Sequence, residues 1–503
     1  MSGSRRFYIT TAIDYANGRP HMGHAFEKIG ADTMARYRRL RGENVHFVVG
    51  MDEHGLKVLQ TASASGVTPQ EWVDRIAQDF QDTWKRLLIS NDDFVRTTQP
   101  RHRTAVEAII RRLQAEDLYT AKYSGYYCVG CEAFKKEDEL IRDGDVLRCP
   151  LHPTREIVWS EEENWFFRLS NYEGRLLKLL DESPDFIKPD VRRNEIRRVI
   201  EGGLEDISVS RSRLPWGIPW PDNPDQTVYV WLDALTNYLS ATGFPDPDYT
   251  RIWPADVHVI GKDITRFHCI YWPAFLMSAG IDLPKGVWAH GFINYDGRKV
   301  SKSGGVTVEL NDFIERHGPD AFRYYLVREI PWNSDGDFSE ERFDERYTAD
   351  LANNFGNLVN RTISMIERYR GGIVPPAPAT SLDRTIAETI VRYRSAMDEN
   401  LLHHGSGAAI ELSSAANVYI EERAPWAQAK DPAQAAALDE TLGALARAVA
   451  ALSALFQPFM PGKMEDLRQR LGLERVPFLD EVATLDLAGN TVARGAVLFP
   501  RPE

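Results

Sequence analysis

The chain has 503 residues, of which 43% are hydrophobic and 26% charged, as in an ordinary globular protein of about three domains. No apolar run approaches the roughly 20 residues of a membrane-spanning helix, and a predicted strand close to the amino terminus leaves no room for a signal peptide. Four cysteines in a chain this long argue against a disulfide framework, so we expect a cytoplasmic protein with no membrane partner. The formal net charge of −13 opposes nucleic-acid binding overall, but arginine-rich runs such as residues 36–41 can still contact phosphate.

The first predicted unit is a strand, a loop and a helix. The apolar run Phe7–Ile13 predicts the strand, and the amphipathic stretch Ala25–Arg41 predicts the helix. Between them, Gly23 allows close approach of a flat ring, and the helix start favours phosphate. The imidazoles of His21 and His24 can donate to charge that develops on a phosphoryl group. Taken alone, this turn is more often an ordinary surface turn than a phosphate site.

A second predicted strand, Val45–Val49, ends in the loop Gly50–Gly55. This loop emerges at the carboxyl edge of a presumed parallel sheet, where open α/β folds bind ligands. From about residue 118 to residue 225, aromatic residues, prolines and cysteines replace the alternation of strands and helices. We interpret that stretch as an insertion between two halves of a nucleotide-binding fold.

The insertion carries two close pairs of metal-ligand residues. Cys128 and Cys131 form the first pair, and Cys149 and His152 form the second. Two such pairs joined by a hairpin suit tetrahedral zinc, and the set leaves no open coordination position, so we predict a structural site. Cys269 stands alone in an apolar segment and is predicted to lie in the core.

Strand-like runs resume after the insertion at residues 227–231 and 257–260, and the second run ends in Gly261-Lys262-Asp263. A short strand near residues 289–294 precedes Lys299-Val300-Ser301-Lys302-Ser303, whose two lysines can hold a departing pyrophosphate. Past about Tyr347 the apolar residues recur at helical spacing almost to the end of the chain.

The two distant motifs, His-x-Gly-His and Lys-x-Ser-Lys-Ser, resemble those of class I aminoacyl-tRNA synthetases, and over nearly the whole chain the sequence is similar to methionyl-tRNA synthetases. The resemblance implies an α/β fold: a nucleotide-binding, Rossmann-like class I synthetase catalytic domain with a zinc-knuckle insertion, plus a C-terminal α-helical anticodon-binding domain. We expect the first catalytic half at residues 1–117, the insertion at 118–225, the second half with the lysine loop at 226–346, and the helical domain at 347–503.

The resemblance also implies the chemistry. The carboxylate of L-methionine attacks the α-phosphorus of ATP, and the resulting methionyl-adenylate is transferred to tRNA(Met), initiator and elongator alike. The expected cofactors are ATP with Mg²⁺ and one structural Zn²⁺. The expected catalytic and ATP-binding residues are His21, His24, Lys299 and Lys302, with Gly23, Asp263, Ser301 and Ser303. Val300 stands where the family usually carries methionine.

The methionine pocket needs a carboxylate for the ammonium group and an apolar sleeve for the side chain. Asp52, at a strand end, suits the ammonium, and aromatic rings suit a thioether. The positions that match the family's pocket are Ala12, Ile13, Tyr15, Trp231, Ala234, Leu235, Tyr238, Ile264, His268 and Trp272. Asp14 and Leu235 stand where family members often carry proline.

The near relatives differ in the size of the insertion. Enzymes for leucine, isoleucine and valine need a hydrolytic domain, because one methylene gives little discrimination. An insertion of about 110 residues, mostly taken up by the knuckle, is too small to hold one. The small insertion therefore favours methionine as the amino acid substrate and leaves cysteine as the remaining alternative.

Three residues of the helical domain match the family's anticodon readers: Asn357, Arg361 and Trp426. Unpaired bases are read by stacking on aromatics and by hydrogen bonds to their edges. We see no dimerisation module and expect a monomer. A small-molecule nucleotidyltransferase and a non-catalytic tRNA-binding protein remain as alternatives, and pyrophosphate exchange against a panel of amino acids would separate all three.

Overall fold

The computed structural model describes residues 5–128, 133–144, 146–150, 153, 157–212, 214–295, 298–299 and 310–501. The amino-terminal part alternates strands with helices. Its elements are β1 (Arg6–Thr11), β2 (Asp14–Tyr15), α1 (Met22–Leu40), β3 (Asn44–Asp52), α2 (Leu56–Ala64), α3 (Pro69–Arg86), β4 (Asp93–Arg96) and α4 (Pro100–Arg112).

The predicted insertion begins with a long antiparallel hairpin, in which Leu118 faces Phe167 and Cys128 faces Ile157. Short strands lie between its two arms, and two helices and further short strands follow it. The elements are β5 (Leu118–Cys128), β6 (Ala133–Lys135), β7 (Ile141–Asp143), β8 (Val146–Arg148), β9 (Ile157–Phe167), α5 (Glu173–Glu182), β10 (Ile187–Lys188), α6 (Asp190–Glu201), β11 (Ile207–Ser208), β12 (Ser210–Arg211), β13 (Pro219–Trp220) and β14 (Asn223–Val228).

The second half of the α/β part runs to Arg346. Its elements are α7 (Val230–Leu235), α8 (Asn237–Ser240), β15 (Val257–Gly261), α9 (Trp272–Ala279), β16 (Val287–His290), β17 (Ile293–Tyr295), β18 (Arg298–Lys299), α10 (Leu310–His317), α11 (Pro319–Glu329), β19 (Gly336–Phe338) and α12 (Glu340–Arg346). The strand predicted at 227–231 is wrong beyond Val228, because the apolar run there continues as helix α7. Short apolar runs do not distinguish a strand from a buried helix.

A parallel sheet organises the α/β part. Among the described residues it has seven strands in the order β10-β16-β15-β1-β3-β2, with β4 also paired to β3. Central β1 lies between β3 and β15, with Ile9 opposite both Phe47 and Val257. Helices cover both faces, which is why its strands are apolar rather than alternating. This arrangement confirms the predicted Rossmann-like fold.

One strand of the central sheet comes from the stretch assigned to the insertion. β10 pairs in parallel with β16, so Ile187 lies opposite Val287. The inserted stretch therefore returns to the sheet before it ends. The domain boundaries stay predictions.

The carboxyl-terminal part is helical, as predicted. After a π-helical stretch, Tyr347–Gly356, it contains α13 (Asn357–Arg370), α14 (Ser381–Asp398), α15 (Leu402–Arg423), α16 (Pro425–Gln428), α17 (Ala435–Phe456) and α18 (Pro461–Arg470). Gly371 ends α13 in the left-handed conformation, with φ of 61°, as the Gly-Gly pair predicts. Within the described ranges, no helix has the length and hydropathy needed to cross a bilayer.

Candidate active site

The histidine turn caps the first long helix. His21 is the N-cap residue of α1, and its Nδ1 accepts a hydrogen bond of 3.1 Å from the Gly23 N–H. The Nδ1 of His24 accepts one of 3.2 Å from the His21 N–H. The two rings stack with centroids 3.7 Å apart. Since both Nδ1 atoms accept, each neutral ring carries its proton on Nε2, where it is a donor.

Gly23 is needed for this arrangement. A Cβ atom at this position would lie 3.1 Å from Cε1 and 3.2 Å from Nδ1 of His21, closer than ordinary packing allows. Any larger side chain therefore displaces the His21 ring. The turn thus leaves both the stacked imidazoles and the amino end of α1 at the carboxyl edge of β1.

Neighbouring strands bring the nucleotide-binding candidates to the same edge. Thr11 of β1 lies opposite Val259 of β15, and the Ala12 N–H donates to the Val259 carbonyl at 3.0 Å. The next residues of β15 lead into Gly261 and the exposed Asp263. The turn after β1 and the loop after β15 therefore lie side by side.

The strands that precede the lysine loop (residues 299–303) also follow directly from this sheet. Strand β17 begins three residues after β16 ends, and its Asn294 pairs with Lys299 of β18. Lys299 is thus in a short strand rather than in the predicted loop. Ser301, Lys302, Ser303 and the unusual Val300 lie outside the described residues.

Asp52 ends β3 and is mostly buried, as expected for a residue that binds an ammonium group in a cleft. Tyr15 of β2 lies opposite Asp52 in the parallel ladder. Ile13 lies beside Gly50, where an added Cβ would come within 2.8 Å of its Cγ2. The segment of residues 12–15 and the end of β3 thus form one continuous wall.

An aromatic cluster on α7, α8 and the π-helical turn before α9 belongs to the same apolar core cluster against which Ala12 of the wall packs. Tyr238 Oη and His268 Nε2 are 2.7 Å apart, and His268 Nδ1 lies 3.1 Å from the Ile264 carbonyl. Because a carbonyl only accepts, the proton of His268 lies on Nδ1, and Tyr238 donates to Nε2. Burial lowers the pKa of His268 to about 4, so the ring is neutral near pH 7.

The remaining pocket candidates divide into two groups. Trp231 is half-buried, stacks on Phe267 with centroids 3.6 Å apart, and approaches His268 edge-on. Ala234, Leu235 and Trp272 are buried in the core, and Trp272 packs edge-on against Tyr238. Phe267 was missed by the sequence analysis, although it directly precedes a predicted pocket residue.

Sequence reasoning also missed a bridge of two histidines and one carboxylate. Asp233 accepts from His54 Nδ1 at 2.7 Å and from His102 Nε2 at 2.8 Å. Burial alone raises the pKa of Asp233, but the attraction of His54 and the hydrogen bond from His102 outweigh it and bring the pKa to about 2. The bridge joins the loop after β3 to α4 and α7. His54 follows Asp52 by two residues, and Asp233 follows Trp231 by two residues.

A second buried network surrounds Lys28, one turn after His24. Its ammonium group donates to the Ala12 carbonyl at 3.0 Å, to Asp14 at 2.9 Å and to Glu27 at 2.7 Å. The Asp14 side chain therefore lies against α1, at a position where family members often carry proline. Burial raises the pKa of Asp14 to about 7, because the shared Lys28 offsets only part of the desolvation.

The anticodon candidates lie together on the helical domain. Asn357 is exposed and Arg361 follows one turn later on α13. The Arg361 guanidinium lies 5.8 Å from the ring of Trp426 and donates to Glu421 of α15 at 2.6 Å. Trp426 is 40% exposed, which is unusual for so large an apolar side chain.

The metal knuckle is described only in part. Cys128 ends β5 opposite Ala133 and Ile157, and both Cys128 and Cys149 are buried. Cys131 and His152 lie outside the described residues. Among those that are described, no three His, Cys, Asp or Glu side chains could together hold a metal. The zinc site stays a prediction. Cys269 is buried, which confirms its place in the core.

Comparison with known proteins covers nearly the entire chain. Residues 7–363 match the family model for tRNA synthetases class I (M), and residues 371–501 match the anticodon binding domain of methionyl tRNA ligase. Methionine–tRNA ligase of Rhizobium meliloti is 45% identical over 100% of this chain and 98% of its own length. That of Thermotoga maritima is 42% identical over 99% of this chain and 80% of its own.

The fold agrees with solved structures in the same way. The Mycobacterium tuberculosis methionyl-tRNA synthetase in complex with methionyl-adenylate superposes with a TM-score of 0.95 at 40% identity, covering 99% of this chain and 100% of that one. The apo form of the same protein gives a TM-score of 0.89 over 99% of both chains. The similarity therefore extends through both the α/β and the helical parts.

Proposed function

The chain belongs to the methionyl-tRNA synthetases, and from that premise we propose how its own residues carry out the reaction. The enzyme is a methionine–tRNA ligase that acts through a methionyl-adenylate, with methionine, ATP and tRNA as substrates. One observation carries the assignment of the site. The histidine turn, the loop of Asp263 and the end of β3 all open at one edge of the parallel sheet.

His21 and His24 act in the activation step. Their Nε2–H groups and the amino end of α1 stabilise the charge that builds up around the α-phosphorus as the methionine carboxylate attacks. Gly23 gives space to the nucleotide, and Asp263 accepts from the ribose hydroxyls. Mg²⁺, when bound with ATP, neutralises part of the phosphate charge.

The lysine loop acts on the leaving group. Lys299 and Lys302 neutralise the departing pyrophosphate, while Ser301 and Ser303 donate to its oxygens.

Methionine is held between the wall at residues 12–15 and the aromatic cluster. Asp52 pairs with the ammonium group, and Trp231, Tyr238 and His268 surround the thioether. A neutral His268 with its proton on Nδ1 keeps a charge out of this sleeve. Sulfur–aromatic contacts of this kind favour methionine over leucine by polarisability as well as by shape.

The helical domain selects the tRNA. Asn357 and Arg361 hydrogen-bond to anticodon base edges, and Trp426 offers a stacking surface. Because the CAU anticodon is common to initiator and elongator tRNA(Met), we propose that both are charged. We also propose a cytoplasmic monomer.

Zinc is proposed as a structural ion in the insertion. The donor set fits, since two thiols and a further Cys–His pair are the ligands that tetrahedral zinc prefers. Cys128 and Cys149 are buried, and Cys128 ends the first arm of the β5–β9 hairpin. The proposed ligands are far in sequence from His21, His24, Lys299 and Lys302. Its effect is to fix the tip of the insertion, and no catalytic step uses it.

Pyrophosphate exchange tests the function directly. Radiolabelled pyrophosphate should enter ATP only when methionine is added, among a panel that includes cysteine, leucine and isoleucine. Exchange that is strongest with cysteine would assign the pocket to another amino acid. Exchange without any amino acid would favour a small-molecule nucleotidyltransferase.

A further inference from the structure

A buried chain of charges runs beneath the proposed site. It begins at Asp14 and passes through Lys28 to Glu27. The other oxygen of Glu27 lies 3.2 Å from Nε2 of His290, whose Nδ1 lies 2.7 Å from the Gly291 carbonyl. Both ring nitrogens of His290 therefore face acceptor atoms, and the ring ends the network on the side away from Asp14.

Lys28 makes three bonds and has no donor left over. Its side chain is 0% exposed, and an ammonium group has three protons. Two bonds neutralise carboxylates, but the third goes to the Ala12 carbonyl, which carries no charge to neutralise. Ala12 is the first residue of the wall against which methionine is proposed to bind. The third bond therefore fixes substrate-binding backbone rather than balancing charge.

The rest of the network holds Lys28 in place. Glu27 is anchored by His290, and the His290 ring stacks on Trp332 with centroids 5.0 Å apart and an angle of 11°. Trp332 in turn fills the space above Gly30 of α1, where an added Cβ would come within 2.1 Å of its ring. These buried contacts hold Glu27 in place, and Glu27 in turn holds the ammonium group of Lys28.

The Asp14 carboxyl group is less completely hydrogen-bonded than the Lys28 ammonium group. Its Oδ2 atom is buried without a hydrogen-bond partner among the described residues. Such an atom costs stability, so its presence in a folded protein calls for an explanation. The family resemblance expects proline here, which would stiffen the segment covalently. In this chain the ion pair serves the same purpose through space.

We propose that Lys28 is a positioning residue for methionine: it fixes the segment of residues 12–15 through the Ala12 carbonyl and Asp14. The proposal rests on the proposed site. Lys28 touches neither substrate, and its effect is on how well the wall is preorganised. Loss of the bond to Ala12 should therefore weaken methionine binding more than ATP binding.

The experiment compares Asp14→Asn, Lys28→Met and the double variant Asp14→Asn/Lys28→Met. Lys28→Met leaves Asp14 without its cation and Glu27 with only its contact to His290, so it should be the least stable, and the double variant should recover much of that loss. In the double variant the Ala12 carbonyl still lacks its donor. We expect the KM for methionine in pyrophosphate exchange to stay raised about tenfold, with the KM for ATP changed less than about threefold.

Tyr37→Phe is the matched control. Tyr37 lies on the same helix and is buried, and its hydroxyl donates to Asp398 of the helical domain at 2.8 Å. This variant should lower the melting temperature without changing the KM for methionine. A double variant with a native KM for methionine would show that Lys28 only neutralises Asp14 and would overturn the proposal. An equal rise in both KM values would also overturn it. Absence of methionine-dependent exchange in the unaltered protein would instead contradict the proposed function.

Discussion

At the scale of single residues, the site depends on which nitrogen of each histidine carries the proton. His21 and His24 accept at Nδ1 and so donate at Nε2. His268 has the reverse arrangement, since its Nδ1 faces a carbonyl. The sequence predicts that these histidines belong to a site. Their tautomers depend on hydrogen bonds that only the folded backbone supplies.

Gly23→Ala tests the histidine turn. The new Cβ would lie 3.1 Å from the His21 ring, so the ring must shift by a few tenths of an ångström, which disturbs its bond to the Gly23 N–H and its stacking on His24. We expect kcat for pyrophosphate exchange to fall about 100-fold, with little change in melting temperature. Gly174→Ala is the control, because a Cβ at that position meets nothing within 4 Å. Equal activity of the two variants would contradict the role of Gly23.

His268 predicts a pH dependence of stability. Burial depresses its folded pKa to about 4, from about 6.5 in an unfolded chain. The stabilisation is present above pH 6.5 and is lost as the pH falls towards 4, because the unfolded chain then binds the proton first. His268→Gln should therefore show a shallower fall in melting temperature between pH 6.5 and 4. Parallel curves for the two proteins would exclude this assignment.

At the scale of elements, the strand ends and helix starts that form the site are held together by residues that do not themselves contact substrate in our proposal. The bridge of His54, Asp233 and His102 ties the loop after β3 to α7 and α4. Asp52 and Trp231, which contact opposite ends of methionine in our proposal, each lie two residues from a member of this bridge. Their separation therefore depends on a contact that neither of them makes.

Asp233→Asn should break half of the bridge, since an amide offers only one acceptor oxygen to two imidazoles. We expect a loss of about 2–3 kcal/mol in the free energy of unfolding. The KM for methionine should rise more than the KM for ATP, which initial-rate exchange measures. Asp222→Asn, at an exposed surface pair with Arg111, is the control and should change neither quantity. A stability loss with both KM values unchanged would limit the bridge to a structural role.

The sequence predicts the helices and strands, but only part of how they pair and pack. Buried parallel strands are recognised from apolar runs, and the helix after β1 is recognised from its amphipathic spacing and closing glycine. The pairing of β10 with β16 joins residues about 100 positions apart and leaves no local pattern. The same applies to Asp14 and Lys28. From the sequence, Asp14 is an unexplained departure from the family pattern. The fold explains it by bringing Lys28 within 2.9 Å of its carboxylate.

At the scale of the whole molecule, a catalytic sheet and a helical domain are joined by buried polar contacts. Arg323 of α11 is fully buried and donates to Asp32 of α1 at 2.6 Å and to the carbonyls of Pro458 and Phe459. One guanidinium thus connects the helix of the histidine turn to the helical domain. In our proposal, this junction joins the part that activates methionine to the helical domain that carries Asn357, Arg361 and Trp426, so that both can act on a single tRNA.

Trp426→Ala tests the division of labour between the two parts. Trp426 is exposed and remote from the sheet edge, so pyrophosphate exchange should stay nearly intact. Charging of tRNA(Met) should fall by about 10- to 100-fold, because base stacking is worth about 1–3 kcal/mol. Parallel loss of exchange and charging would contradict the assigned role and indicate a structural one.

The most direct measurement is methionine-dependent pyrophosphate exchange in His21→Asn, Lys302→Met and their double variant. We propose that both side chains contact the triphosphate of one ATP molecule. Each single change should lower kcat about 100-fold, and the double change should cost clearly less than the product of the two. Exchange within twofold of the unaltered enzyme in Lys302→Met, or strictly multiplicative losses in the double variant, would contradict the convergence of the two motifs on one ATP.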